Sequence, residues 1–220
     1  MQNQKVVMPF EKEGEFFVEE LGEISTKPVY SFIKRTVDIL ASGVALIILL
    51  IPMLIISLLI MLDSKGGALY FQERLGKNGK KFNVIKFRSM NIDAEKNGAQ
   101  WSQGDKDVRI TKIGSILRKT RLDELPQLLC ILKGDMTIVG PRPERECFYN
   151  EFETYIHGFI QRTKVTPGLT GLAQVRGGYD LKPEEKIIYD IEYIKTRNLW
   201  LDIKIIFETV KVVFTHEGAK

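Results

Sequence analysis

The stretch DILASGVALIILLIPMLIISLLIMLD, residues 38–63, decides how this chain is read. Between Asp38 and Asp63 lie 24 positions, 39–62, with no charged residue. As a helix they reach roughly 36 Å at ~1.5 Å per residue, enough to span about 30 Å of hydrocarbon. Pro52 divides the run into arms of 13 and 10 residues. A proline inside a helix removes one backbone bond and crowds the carbonyl four residues back, here that of Ile48. Ser57 is close enough in sequence to help satisfy freed backbone groups. A bend therefore follows, with two outcomes. A kinked helix crosses the bilayer, or a re-entrant helix dips into one leaflet and leaves both ends on one side. Lys34 and Arg35 precede the run, and Lys65, Arg74, Lys77, Lys80 and Lys81 follow it. Positive residues mark the cytoplasmic side, so basic flanks at both ends suit the re-entrant form, although simple spans also carry them. The second cluster fits contact with anionic headgroups, or a solvated loop. The run is too long for a signal-peptide core and follows an acidic stretch, Glu11 to Glu23, so it reads as an anchor that is not cleaved.

Beyond the run about 155 residues remain, the usual size of one compact domain. The net charge of +4 is too mild to argue for nucleic acid. Two cysteines, Cys130 and Cys147, and two histidines, His157 and His216, form no CxxC, HExxH or mixed cluster, which argues against zinc and for free thiols in a reducing compartment. There is no internal repeat, Walker loop or GxGxxG.

Residues 1–30 read as loose, with a short amphipathic piece around Phe16–Leu21. Residues 68–73 and 82–88 read as strands joined by the turn signal GKNGKK. A polar loop covers 93–107. Helices are expected at 112–120 and 123–133, the latter stopping at Gly134, then a strand at MTIVG and a helix over 144–162. TPGLTG, 166–171, is a loop, and Pro183 opens a helix over 183–197. The segment 199–214 is amphipathic. Lys204, Glu208 and Lys211 share one face, and Trp200, Ile203, Ile206, Phe207, Val210 and Phe214 fill the other. Such a face packs on a core or lies in a lipid interface.

The chemistry-bearing stretch is SILRKTRLDELPQLLCILKGDMTIVGPRPE, 115–144. Asp123 is a natural N-cap for the helix that follows, and Pro126 suits its first turn. An aspartate there is commonly only a cap. Here Arg118 and Arg121 precede the Asp123–Glu124 pair, and Arg142 and Arg145 follow. Pro141 and Pro143 hold Arg142 in extended backbone, a stiff presentation of one guanidinium. Arginine forks match phosphate oxygens, and Mg²⁺ prefers carboxylate and phosphate oxygens. Two carboxylates among arginines therefore fit a diphosphate with a hard cation. One carboxylate would hold the metal, and the other could attack phosphorus. A surface ion-pair cluster joining two helices is the competing account.

Four motifs, KRTVD, ERLGKNGKKFNVIKFRSM, TRLDELPQLLCILKGDMTIVGPRP and VTPGLTGLAQVRG, resemble the bacterial sugar transferases, the monotopic polyprenyl-phosphate phosphoglycosyl transferases. The resemblance covers about residues 32–215. It implies an α+β fold: a small, mainly helical catalytic domain with short strands, on a proline-broken re-entrant membrane helix with amphipathic interfacial helices. The divisions are a tail, 1–31, a re-entrant helix, 32–66, and a catalytic domain, 67–220. It implies transfer of a sugar-1-phosphate from a UDP-sugar to undecaprenyl phosphate at the cytoplasmic face of the bacterial inner membrane, with Mg²⁺ as cofactor, membrane lipids as partners and UMP as product. By resemblance Asp123 is the nucleophile that forms a covalent phosphosugar, and Glu124, with Asp123, binds the metal. Arg118 and Arg142 contact phosphate, and Lys86, Gln174 and Arg176 line the site. The chain departs from the family where Ile51 replaces the frequent serine before Pro52, and at RGGYD, 176–180, which bears on the sugar-facing contacts. A non-catalytic membrane adaptor and a nucleotide-sugar hydrolase are the alternatives. The sugar, the pathway and the oligomeric state, a homodimer included, stay open.

Overall fold

A computed structural model describes residues 14–96, 107–177 and 181–215, leaving aside the side chains of 213–215. The first half of the tail, most of the expected polar loop, the end of RGGYD and the Phe214 side chain lie outside the described residues. In chain order the elements are β1 (Phe16–Phe17), α1 (Pro28–Asp63), β2 (Leu69–Leu75), β3 (Lys81–Phe87), α2 (Lys112–Lys119), α3 (Gln127–Lys133), β4 (Thr137–Val139), α4 (Glu146–Glu153), β5 (Ile156–His157), β6 (Gly168–Thr170), α5 (Leu172–Gly177), α6 (Pro183–Thr196) and α7 (Leu199–Thr215). Among the described residues helices dominate, and the strands form three two-stranded sheets: β2 with β3 antiparallel, β1 with β5 and β4 with β6 parallel. The larger core gathers Val139, Phe148, Phe152, Phe159, Ile187, Ile194 and Ile205.

The apolar run forms one helix, and Pro52 does not divide it into two helical elements. Proline forfeits a single bond of a long ladder, and packing on both sides of it holds the helix together. Ser57 bonds the Met53 carbonyl at 2.8 Å, one turn back, and not that of Ile48. At about 54 Å for 36 residues the helix is long enough to span a bilayer, and it is the one such helix among the described residues.

One stripe of α1 faces protein along its length. Arg35 donates to the carbonyls of Ile131 (2.6 Å) and Leu132 (2.8 Å), at the C-terminus of α3. Buried Asp38 accepts from Thr137 Oγ1 (2.6 Å) and the Ile138 amide (3.0 Å). Lys34 pairs with Asp202 of α7 at 2.8 Å. Ala45, Leu46 and Leu49 pack on Phe82, Val84 and Ile131, and Met53, Ile56 and Ile60 on Phe87 and Leu117. At the far end the Ile113 amide donates to Asp63 (3.1 Å), and buried Arg88 donates to the Ser64 (2.8 Å) and Lys65 carbonyls. Both ends of the anchor are thus tied to the same folded unit. The opposite stripe, Leu40, Val44, Ile47, Ile51, Leu54 and Leu58 among others, is exposed.

Several sequence expectations change. In the amphipathic piece at Phe16–Leu21 only Phe16–Phe17 form a strand, β1, and Leu21 is buried. The helix over 144–162 stops at Glu153 and gives way to β5, after which Gly158 takes a left-handed turn (φ 97°) into a 3-10 segment, Phe159–Lys164. On α7 the core side is Leu201, Ile205 and Ile206; Trp200 (76%) and Phe207 (72%) point outward. That unpartnered apolar stripe is what an interfacial helix needs. Arg74 leaves the lipid-facing group altogether, since it is bonded inside the domain.

Candidate active site

Arg121 adopts a left-handed conformation (φ 61°), and the chain turns at once into a 3-10 segment, Leu122–Glu124. Asp123 is therefore not the N-cap of α3. Pro126, which has no N–H to give a ladder, holds that position, and α3 starts at Gln127. The turn instead carries both carboxylates inward, where Asp123 and Glu124 are each 8% exposed.

Glu124 is surrounded by cations. Lys86 reaches it from β3 at 3.2 Å, and both terminal nitrogens of Arg142 bond its two oxygens, one at 3.2 Å. Burial alone would raise the Glu124 pKa, but Arg142 and Lys86 outweigh burial and hold it well below the usual carboxylate range. Burial pulls the Lys86 ammonium down against the pull of Glu124. Asp123 differs. It forms no hydrogen bond among the described residues, and burial, then the neighbouring charge of Glu124, pushes its pKa up to about 6 despite Lys86, Arg118 and Arg142. Adjacent carboxylates with pKa values driven apart are a mark of acid–base or nucleophilic sites.

Arg142 enters from the loop after β4. Gly140 lets this loop pass against TPGLTG, for a Cβ there would lie 2.6 Å from the Thr166 carbonyl. Arg142 Nη1 also lies 3.5 Å from the Leu169 carbonyl, to which Gln174 Nε2 donates at 3.1 Å. Gln174 thus sits beside Arg142. Arg176 lies exposed on the last turn of α5 and makes none of these contacts. Arg118 reaches Asp123 through its charge, and Arg145 pairs with Glu95 at 2.8 Å. A small pocket beside the cluster is lined by Arg74, Val84, Lys86, Gln127, Arg142 and Pro143. Of these, Arg74 and Gln127 were missed from sequence as site residues. Arg74 stands nearly seventy positions from Arg142, and no local pattern connects them.

Among the described residues no three or more His, Cys, Asp or Glu side chains come together so as to hold a metal ion. The two adjacent carboxylates suit a cation that takes one or two protein oxygens and completes its shell with phosphate and water, as Mg²⁺ does. Such an ion would also relieve the repulsion that raises Asp123. The hard oxygens present fit it.

The bacterial sugar transferase family profile matches residues 29–216. A UDP-N-acetylgalactosamine-undecaprenyl-phosphate N-acetylgalactosaminephosphotransferase of Aeromonas hydrophila is 43% identical over 204 residues, 91% of this chain and 48% of that protein. A UDP-glucose:undecaprenyl-phosphate glucose-1-phosphate transferase of Escherichia coli is 38% identical over 216 residues, 92% of this chain and 46% of its own length. Exopolysaccharide production protein ExoY of Rhizobium meliloti is 34% identical over 218 residues, 93% of this chain and 94% of that protein. The chain spans about half the length of the first two relatives and nearly all of the third.

Proposed function

Because this chain belongs to the bacterial sugar transferases, we propose that it moves a sugar-1-phosphate from a UDP-sugar to undecaprenyl phosphate, in a membrane step that opens assembly of a surface glycan such as an exopolysaccharide or capsule. The observation that carries the chemistry is buried Asp123, whose carboxylate makes no hydrogen bond among the described residues, beside a glutamate already neutralised by two cations. A carboxylate with a raised pKa is more basic, and so a better nucleophile, than an ordinary one. An Asp123 oxygen attacks the sugar-bearing phosphorus, the bond to the UMP oxygen breaks, and UMP leaves. A phosphate oxygen of undecaprenyl phosphate then attacks the same phosphorus and releases Asp123. Arg142, Lys86 and Arg118 offer positive charge to the oxygens on which negative charge builds. Mg²⁺ held by the Asp123–Glu124 pair and the diphosphate would neutralise the leaving phosphate.

The anchor supports a monotopic placement on the cytoplasmic face. Arg35 and Asp38 at one end of α1 bind the domain, and at the other end Asp63 and the Ser64 carbonyl just beyond it are bound by the Ile113 amide and Arg88 of the same domain. A straight crossing would carry one end across the bilayer and break its contacts. The exposed stripes of α1 and α7 suit burial in one leaflet. The active site then meets a water-soluble donor and an acceptor whose phosphate stays at headgroup level.

The test is UMP release by detergent-purified protein with undecaprenyl phosphate, Mg²⁺ and UDP-N-acetylgalactosamine, UDP-galactose or UDP-glucose. Turnover with at least one donor is expected, together with a phosphosugar mass increment on Asp123 when the acceptor is withheld. A folded protein that releases no UMP from any of them, or full activity in Asp123→Asn, refutes the reading.

A further inference from the structure

The loop that presents Arg142 carries four consecutive carbonyls, Pro141 to Glu144, and two of its residues are prolines with no N–H. Every one of those carbonyls meets a donor from elsewhere. The Gly168 amide serves Pro141 (2.9 Å) and the Leu75 amide serves Glu144 (3.0 Å). The other two donors are arginines: Arg162 Nη2 on the Arg142 carbonyl (2.9 Å) and Arg74 Nη1 on the Pro143 carbonyl (2.9 Å). Arg74 also lines the pocket.

Arg162 cannot touch a substrate, because its side chain is 0% exposed. Its guanidinium lies 4.8 Å from the Phe159 ring centre and 5.8 Å from that of Tyr149. Asp190 of α6 pairs with it at 2.6 Å. Nε and Nη1 find no hydrogen-bond partner among the described residues, and the aromatic faces take that place. A buried ion pair gains little for stability over apolar side chains of like volume, since both charges must leave water. What this pair supplies, and an apolar pair could not, is a fixed donor on the backbone oxygen of Arg142.

We infer that Arg162, held by Asp190, is a positioning residue for Arg142, fixing the backbone from which that guanidinium reaches Glu124 and the transferring phosphate. The role presupposes the transferase activity proposed above. Misplacing a transition-state contact by about 1 Å can cost on the order of a hundredfold in rate.

The experiment measures UMP release and melting temperature for Arg162→Met/Asp190→Leu and for Arg162→Lys, each in the wild-type and Arg142→Ala backgrounds. Wild type beside an Asp123→Asn control reports on the transferase reading itself, and the Arg162 variants report only on the clamp. The double variant should melt within a few degrees of wild type or above it, yet lose roughly tenfold to a hundredfold in kcat. Arg162→Lys keeps the charge and the fold and should lose several-fold. In the Arg142→Ala background neither change should cost further activity, because the group they position is gone. Wild-type kcat in a folded Arg162 variant, or a loss that multiplies fully with that of Arg142→Ala, overturns the assignment. If the double variant does not fold, Arg162→Lys in both backgrounds decides on the same criteria.

Discussion

The two carboxylates of the site should have opposite effects on stability when neutralised. Asp123 is raised from 3.8 to about 6, chiefly by burial and then by Glu124. A carboxyl with a raised folded-state pKa favours the fold while protonated, and that contribution is lost as pH climbs from about 4 through 6. At ~1.4 kcal/mol per pKa unit, ionised Asp123 costs the apo protein about 3 kcal/mol at pH 8. Asp123→Asn keeps the shape and removes the charge. For a chain of this size, about 3 kcal/mol corresponds to roughly 6–12 °C in melting temperature. Glu124 is the reverse case. Glu124→Gln leaves Lys86 and Arg142 buried without their counter-charge, at a cost of about 3–5 kcal/mol. The assay is thermal melting of both variants and wild type in one detergent, without divalent cations, at pH 5 and pH 8. Asp123→Asn should melt above wild type at pH 8, with a smaller advantage at pH 5. Glu124→Gln should melt below wild type at both. An Asp123→Asn protein no more stable than wild type at pH 8, or one whose advantage does not shrink in acid, refutes the reasoning that burial and Glu124 strain this carboxyl.

Other outcomes follow from the same geometry. Millimolar Mg²⁺ should raise the wild-type melting temperature at pH 8 by several degrees and that of Asp123→Asn by clearly less, since stabilisation follows RT ln(1 + [L]/Kd) for a ligand that binds only the fold; equal shifts would place the ion elsewhere. Lys86→Met should cut UMP release by about 10²–10³-fold if Lys86 stabilises charge on phosphate oxygens, which steady-state kinetics will show. Asp38→Ala strands the Thr137 hydroxyl and the Ile138 amide and should destabilise by roughly 2–4 kcal/mol in melting experiments. On α7, Ile205→Ala should cost about 2–5 kcal/mol as a core cavity, whereas Trp200→Ser/Phe207→Ser should leave melting unchanged and reduce co-sedimentation with anionic vesicles.

The sequence by itself determined most of the local elements and named the candidate residues of the site. Hydrophobic periodicity and turn residues were enough for the β2–β3 hairpin, α2, α6, α7 and the C-terminus of α3, where Gly134 takes φ 101°. The Asp123–Glu124 pair and Arg142 stood out because their chemistry is written in residue type, whereas Lys86 entered only through the family resemblance. Tertiary structure decided what surrounds each carboxylate. Asp and Glu side by side are equivalent in sequence, and they diverge only when Arg142 and Lys86, from distant segments, fold onto one and not the other. It also decided that α1 runs on through Pro52, because packing along both arms outweighs one missing backbone bond. The buried charges Arg162 and Asp190, and the half-buried Arg74, were illegible for a related reason. A charged residue in a sequence reads as solvated surface, and only the fold shows which ones are withdrawn from water to hold a loop in place.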